Sequence, residues 1–299
     1  MNNFKYWISL ILFLSFITEV RAQDIDTTTI NKKRLKIVLV STGVAYTAGM
    51  VALSQAWYKN QSGDGGFNFF NDNAQWNYID KFGHMYSAYQ ISRTGSEMFQ
   101  WTNMSRRKSA IWGSVLSQAL LIPIEIMDGF SEDYGFSWGD IVANMAGAGL
   151  FLSQELIWQK QFVKMKFSFH TTAYAPLRPE VLGDGIPEEI LKDYNGQTYW
   201  FSFDIYNILP KGNKFPKWIN IALGYGADGM VYGRESDNQE HGYESYRQYY
   251  FSIDWDLSHI HTNKKGIKIL LFIADMIKLP APALEFNAKQ GINFHFIYF

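Results

Sequence analysis

Three short clusters carry residue types able to do acid–base chemistry or to hold a hard cation: Asp80-Lys81-x-x-His84, Glu125-x-x-Asp128 and Asp140-x-x-x-Asn144. A spacing of four puts Asp80 with His84, and Asp140 with Asn144, on one helix face, and a spacing of three does the same for Glu125 and Asp128. In such a set His84 is the general acid/base and Asp80 or Asp140 orients it, while Glu125 and Asp128 serve as acid/base groups or hard-metal ligands. A single histidine makes zinc unconvincing, and no strained elbow motif marks a serine nucleophile. The same residues also have plainer readings. Asn77-Tyr78-Ile79-Asp80 and Ser137-Trp138-Gly139-Asp140 are cap-like openings, in which an aspartate meets exposed amides and the helix dipole. A lone histidine is more often a hydrogen-bonded core residue than a catalytic or metal-binding one. Glu125 is harder to explain away, because Ile122-Pro123-Ile124 and Ile126-Met127 around it are apolar. A carboxylate buried there needs a partner, and Lys81 and His84 are the candidates.

Four helix-length segments must position these clusters: about Leu35 to Tyr58, Asp80 to Gln100, Arg106 to Met127 and Trp138 to Val163. Asp80 opens the second, Glu125 and Asp128 close the third, and Asp140 opens the fourth. Antiparallel packing through short connections brings all three clusters to one end. The basic residues sort to the other end: Lys32, Lys33, Arg34 and Lys36, then Arg106, Arg107 and Lys108, then Lys160, Lys164 and Lys166. From Phe167 onward the pattern changes to aromatic and β-branched runs at about 166–174, 198–208, 218–225, 248–257 and 291–299, punctuated by Pro and Gly. Ile267 to Ile277 reads as a short helix stopped by Leu279-Pro280-Ala281-Pro282. The expected fold class is therefore α+β: an N-terminal up-down bundle of about four apolar helices at 30–165, followed by a smaller antiparallel β-rich domain at 166–299.

The first 22 residues read as an export signal, with Lys5, an apolar run from Trp7 to Ile17, and Val20-Arg21-Ala22 before Gln23. The 27 basic and 28 acidic residues leave a formal charge of -1, which gives no nucleic-acid footprint. The absence of cysteine excludes disulfides, thiolate metal sites and attachment of a lipid to an N-terminal cysteine. Gly63-Asp64-Gly65-Gly66 and Ser131-Glu132-Asp133-Tyr134-Gly135 lack a full calcium or phosphate ligand pattern and read as ordinary loops. The terminal Gly291-Ile-Asn-Phe-His-Phe-Ile-Tyr-Phe299 resembles the last strand of an outer-membrane barrel, and equally an amphipathic last strand of a small periplasmic sheet.

Asp80-Lys81-x-x-His84, Glu125-x-x-Asp128-Gly129 and Trp138-Gly-Asp140-x-x-x-Asn144-x-x-Gly147 together resemble the YfiM-type family of predicted periplasmic lipoproteins (domain of unknown function 2279) over roughly residues 35 to 160. The order of motifs is more distantly similar to that of the VanZ-like membrane family. The resemblance implies an envelope location and supplies no established reaction, and the missing cysteine departs from the lipoprotein label. The expectation is an exported, membrane-associated protein on the periplasmic side of the envelope, or in the outer membrane, of a Gram-negative-type cell. Its role is structural or binding, with membrane lipid or an envelope component as partner and no nucleic acid. The alternative is an enzyme acting on a lipid or cell-wall intermediate through Asp80, Lys81, His84, Glu125, Asp128, Asp140 and Asn144, its cofactor or metal unspecified.

Overall fold

The computed structural model describes residues 29–57, 66–131 and 134–299. The export signal, residues 63–65 of the Gly63–Gly66 loop, and Glu132 and Asp133 lie outside the described residues. Among the described residues, four long helices precede the strands: α1 (Lys32–Trp57), α2 (Ile79–Trp101), α3 (Arg106–Gly129) and α4 (Trp138–Trp158). A six-stranded antiparallel sheet follows, so the α+β class holds.

Small side chains set the spacing of α2, α3 and α4. A Cβ on Gly113 of α3 would lie 2.4 Å from the Ser92 carbonyl oxygen of α2, and one on Gly147 of α4 would lie 2.0 Å from that of Met85. Backbones this close leave room only for glycine, and the buried Ser92, Ser96, Ser109, Ser114 and Ser117 fill the rest. At the far end Arg106 of α3 forks onto Glu155 of α4 at 2.7 and 3.1 Å, in keeping with antiparallel helices. Helix α1 is a looser attachment. Val38 is its one buried side chain among those described, and the chain is held through Asn31 N–H to the Thr102 carbonyl and Arg34 over the Trp101 ring.

The two expected helix openings differ. Ser137 caps α4, its Oγ accepting from Asp140 N–H at 3.3 Å. Asn77 does not cap α2: Trp76, Asn77 and Tyr78 hold φ of 50, 50 and 68°, and the Asn77 side chain donates to Ser245 Oγ instead. Three bulky residues in the left-handed region cost about 1–2 kcal/mol each. Partners from the sheet region hold them, Trp76 N–H on the Gly233 carbonyl and the Tyr225 hydroxyl on the Asn77 carbonyl.

The strands are β1 (Val163–Phe169), β2 (Gln197–Phe203), β3 (Ile219–Asp228), β4 (Tyr246–Trp255), β5 (Ala281–Asn287) and β6 (Gly291–Tyr298), ordered β1-β2-β3-β4-β5-β6. Helix α4 stops at Trp158 rather than Val163, because Gln159 turns left-handed (φ 52°) and Gln154 accepts the Phe162 and Val163 amides at 2.8 Å. The run expected at 198–208 ends at Phe203, where Asp204 caps a helical turn by accepting from Asn207 N–H. Strand β5 is an addition to the sequence reading. Its Pro282 sits at a register shift between Ala281 and Ala283, where a missing N–H is tolerated.

The sheet curls on itself. Neighbouring strands are about 4.8 Å apart, so β2 and β6 in a flat sheet would be separated by nearly 20 Å. Yet Thr198 Oγ1 of β2 lies 2.9 Å from the Tyr298 hydroxyl of β6, and Trp200, Ala222, Tyr250, Ala283 and Tyr298 form one buried cluster. The concave side also buries charge. Lys166 pairs with Asp254 at 2.7 Å and Lys164 with Asp256 at 2.8 Å. These two lysines therefore do not belong to an exposed basic end, as the sequence pattern suggested, because on β1 their side chains point into the curled sheet. The convex side of β1–β3 covers α2, with Phe82 stacked on Tyr225 (4.7 Å) and Tyr86 against Phe167 and Tyr199. The outer edge of β1 is capped by backbone bonds between Phe167 and Met276 and Lys278.

Candidate functional site

The antiparallel arrangement of α2, α3 and α4 brings the three sequence clusters together. Lys81 is the centre of one half. Its Nζ lies 2.8 Å from Asp72 Oδ1, 2.9 Å from Asp80 Oδ2 and 2.6 Å from Asp140 Oδ1. Asp80 accepts in addition from the Tyr194 hydroxyl at 3.0 Å, and Asp72 from Ser137 Oγ at 2.7 Å. One ammonium thus ties α2 to α4, to the segment before α2 and, through Asp80, to the segment leading into β2. The φ-strained turn at Trp76–Tyr78 delivers Asp80 and Lys81 to this position.

His84 is the centre of the other half. Its Nδ1 is bonded to Asn144 Oδ1 at 3.3 Å and lies 3.3 Å from Glu125 Oε1, while Nε2 is 3.7 Å from both Asp80 and Asp140. Glu125 is 1% exposed and Asn144 fully buried, whereas His84 keeps 21% of its side chain accessible. Glu125 Oε1 and Asn144 Nδ2 have no aligned hydrogen-bond partner. Asn144 is also fixed through its carbonyl, which accepts from Gln118 of α3 at 3.1 Å.

Burial and charge divide the carboxyls. Burial lifts Glu125 to about 8, with the charge of His84 opposing and those of Asp140, Asp128 and Asp80 adding to it. Burial likewise lifts Asp140 to about 6, aided by Asp80 and opposed by His84 and Lys81. Asp80 goes the other way: burial opposes its ionisation, but His84, Lys81 and the hydrogen bonds from Lys81 and Tyr194 hold it below the usual carboxylate value. For His84 burial is outweighed by Asp80, Asp140 and Glu125, so the imidazole is held above its ordinary value. The result is an ionised Asp80 and a neutral Glu125 within one cluster, with the charged form of His84 favoured between them.

Every site residue expected from sequence meets here except that Asp128 acts at one remove, through its charge on Glu125. Of the two partners foreseen for Glu125, His84 fills the role. Asp72 and Tyr194 were not foreseen: Asp72 lies in a polar loop without a motif, and Tyr194 is 114 positions from the aspartate it touches. Asp80, His84 and Asp140 offer ligand atoms within 4.8 Å of one another, the spacing a divalent cation needs. Lys81 Nζ already stands between two of those carboxylates, so the cluster carries its own cation. Gly147, the last residue of the third motif, is explained by the close approach of α4 to Met85.

Fold and site together define an α+β protein whose helical part ends in a buried His–carboxylate cluster sealed by a sheet. Residues 55–154, a third of the chain, match the model of the family described as predicted periplasmic lipoprotein (DUF2279), and all the motif residues lie inside that match. The match supports an exported protein associated with the membrane on the periplasmic side. The 299 residues contain no cysteine, the residue to which a lipoprotein's lipid is joined. No curated protein and no solved structure matches the chain.

Proposed function

We propose that this is a membrane-associated protein of the periplasmic envelope with a structural or binding role, in which the polar cluster is a latch and not a reaction centre. Lys81 carries this reading. An ammonium has three donors, and here three carboxylates stand within 3 Å of it, so its charge is already matched from inside the fold. On this reading the signal at 1–22 exports two parts, a helical family domain (30–165) and a β-rich domain (166–299), which the latch joins. Membrane association is supported by the outward faces of the long helices, with Trp112, Val115 and Ile126 on α3 and Trp138, Val142 and Ile157 on α4 exposed. Helices α1, α3 and α4 have the length and composition to cross a membrane.

Lys81→Met tests the latch. It leaves Asp72, Asp80 and Asp140 facing one another, and is expected to lower stability by roughly 3–5 kcal/mol in denaturant unfolding of detergent-purified protein. A variant as stable as the parent overturns the latch. In fractionated cells the protein is expected to resist salt washes and to need detergent for release.

A second reading is an enzyme acting on a lipid or cell-wall intermediate, favoured by Glu125, a buried neutral carboxyl 3.3 Å from the partly accessible His84. His84→Gln and Glu125→Gln separate the two. Variants that stay folded but abolish an envelope phenotype overturn a purely structural cluster, and variants that keep the phenotype exclude the enzyme.

A further inference from the structure

We infer that the convex face of β4–β6, together with the helix Lys265–Ala274, is a lipid-facing surface seated in the hydrocarbon of an anionic bilayer. The inference rests on the membrane association proposed above and extends it from the helices to the sheet.

The alternation along these strands is the reverse of a water-soluble sheet. On β4 the concave side carries Gln248, Tyr250, Ser252 and Asp254, and the convex side Arg247, Tyr249, Phe251, Ile253 and Trp255. On β5 Ala283, Glu285 and Asn287 are buried while Phe286 is exposed. On β6 Ile292, Phe294, Phe296 and Ile297 are all exposed, Phe296 to 82%. The buried side holds the ion pair of Lys166 with Asp254 and the contact of His295 Nε2 with Glu285, each at 2.7 Å. Polar side chains inside and apolar ones outside are the arrangement of a sheet whose solvent is lipid.

The ends of this band have their own chemistry. At one end Trp218 and Trp255 stack at 5.7 Å, the indoles that suit a headgroup boundary. The helix Lys265–Ala274 follows, with Ile267, Ile269, Leu270 and Ile273 exposed beside Lys264, Lys265 and Lys268. Such a helix lies in an interface, its lysines on anionic headgroups. At the other end are Tyr249, Arg247 and the β5–β6 turn with Lys289. From Arg247 to Trp255 the strand rises about 26 Å, close to the height of about 25 Å of the apolar band that membrane sheets present between two headgroup regions.

The absence of cysteine gives a clean test, since each single-cysteine variant carries one thiol. Phe251→Cys, Phe286→Cys, Phe294→Cys and Leu270→Cys on the proposed surface, Val142→Cys on α4 and Lys214→Cys on a sheet-region loop are each labelled with an environment-sensitive fluorophore. The full-length protein is then reconstituted into phosphatidylethanolamine–phosphatidylglycerol vesicles with or without brominated acyl chains. The surface positions and Val142 are expected to shift to the blue and to be quenched by the brominated chains, and Lys214 to do neither. Quenching at Val142 with none at Phe251, Phe286 and Phe294 overturns the lipid-facing sheet while leaving membrane association through the helices intact. No quenching at any position overturns both. If the label at Phe294→Cys is unquenched and unlabelled Phe294→Cys protein oxidises in air to a disulfide-linked dimer, the face belongs to a second copy of the chain, which also overturns the inference.

Discussion

Glu125→Gln separates the charge of this carboxyl from its shape. Burial holds Glu125 at about 8 against an ordinary value of 4.5, so the folded protein keeps a proton that the unfolded chain releases. A group raised in the folded state adds its stability below the unfolded value and loses it as pH climbs toward the folded one, so the window is pH 4.5 to about 8. Full ionisation across that gap corresponds to roughly 4–5 kcal/mol, and about 3 kcal/mol is lost between pH 5 and 7.5. Glutamine keeps the outline of the side chain and cannot ionise. The variant is therefore expected to match the parent or fall slightly below it at pH 5, by about 1 kcal/mol for a lost hydrogen bond, and to overtake it near neutrality. The assay is denaturant unfolding in one detergent and at one ionic strength, at pH 5, 6, 7 and 8. His84 and Asp140 titrate in the same direction, so the parent curve alone does not isolate Glu125, whereas the difference between parent and variant does. A difference that stays flat from pH 5 to 8 refutes a neutral buried Glu125, and with it the acid half of the cluster.

Gly147→Ala is expected to push α4 away from Met85 and to cost roughly 2–3 kcal/mol in the same unfolding assay, since the new Cβ has backbone 2.0 Å away. An equally stable variant would mean that the helices are further apart than described. Lys166→Met strands Asp254 inside the sheet at a cost of roughly 3–5 kcal/mol, and Lys166→Met with Asp254→Leu is expected to recover most of it, a double-mutant cycle that fails if the two losses add. Elemental analysis of purified protein is expected to find no stoichiometric divalent metal, because Lys81 neutralises the carboxylates; one metal per chain would revive Asp80, His84 and Asp140 as ligands.

What could be read ahead of the structure was local and periodic. The starts of α2, α3 and α4 were legible from their apolar rhythm, and from those starts alone it followed that Asp80, Glu125 and Asp140 share one end. Ser137 was legible as a cap because its bond to Asp140 N–H spans three residues. What was not legible depends on distant parts of the chain. Lys164 and Lys166 look like surface cations until strands about ninety residues on supply Asp254 and Asp256. Trp76-Asn77-Tyr78 has no glycine to announce a left-handed turn, and tertiary bonds from Gly233 and Tyr225 impose it. Strand β5 was masked by Pro282, which forbids a regular ladder but not a bulged one.

The placement of polar groups also decides what kind of solvent the fold is built for. Between α2, α3 and α4 the chain buries serines, glycines, Glu125, Asn144 and Glu155, and inside the sheet it buries Lys166, Asp254 and Glu285. Such interiors yield little hydrophobic free energy, because the groups in them leave water reluctantly. Meanwhile Trp112, Val142, Phe251, Phe294 and Phe296 stay largely outside, each forgoing a large share of the roughly 1.5–3 kcal/mol that full burial would return. In water alone that distribution would be a poor fold. Against lipid the same outer side chains cost nothing, and the interior is required only to pack closely and to pair its charges, which Gly113, Gly147, Lys81 and Lys166 do. On the proposed reading the polar latch and the apolar surface are one design: when the surroundings no longer drive collapse, close backbone contact and buried ion pairs are what fix how α2, α3 and α4 meet and where the sheet is held.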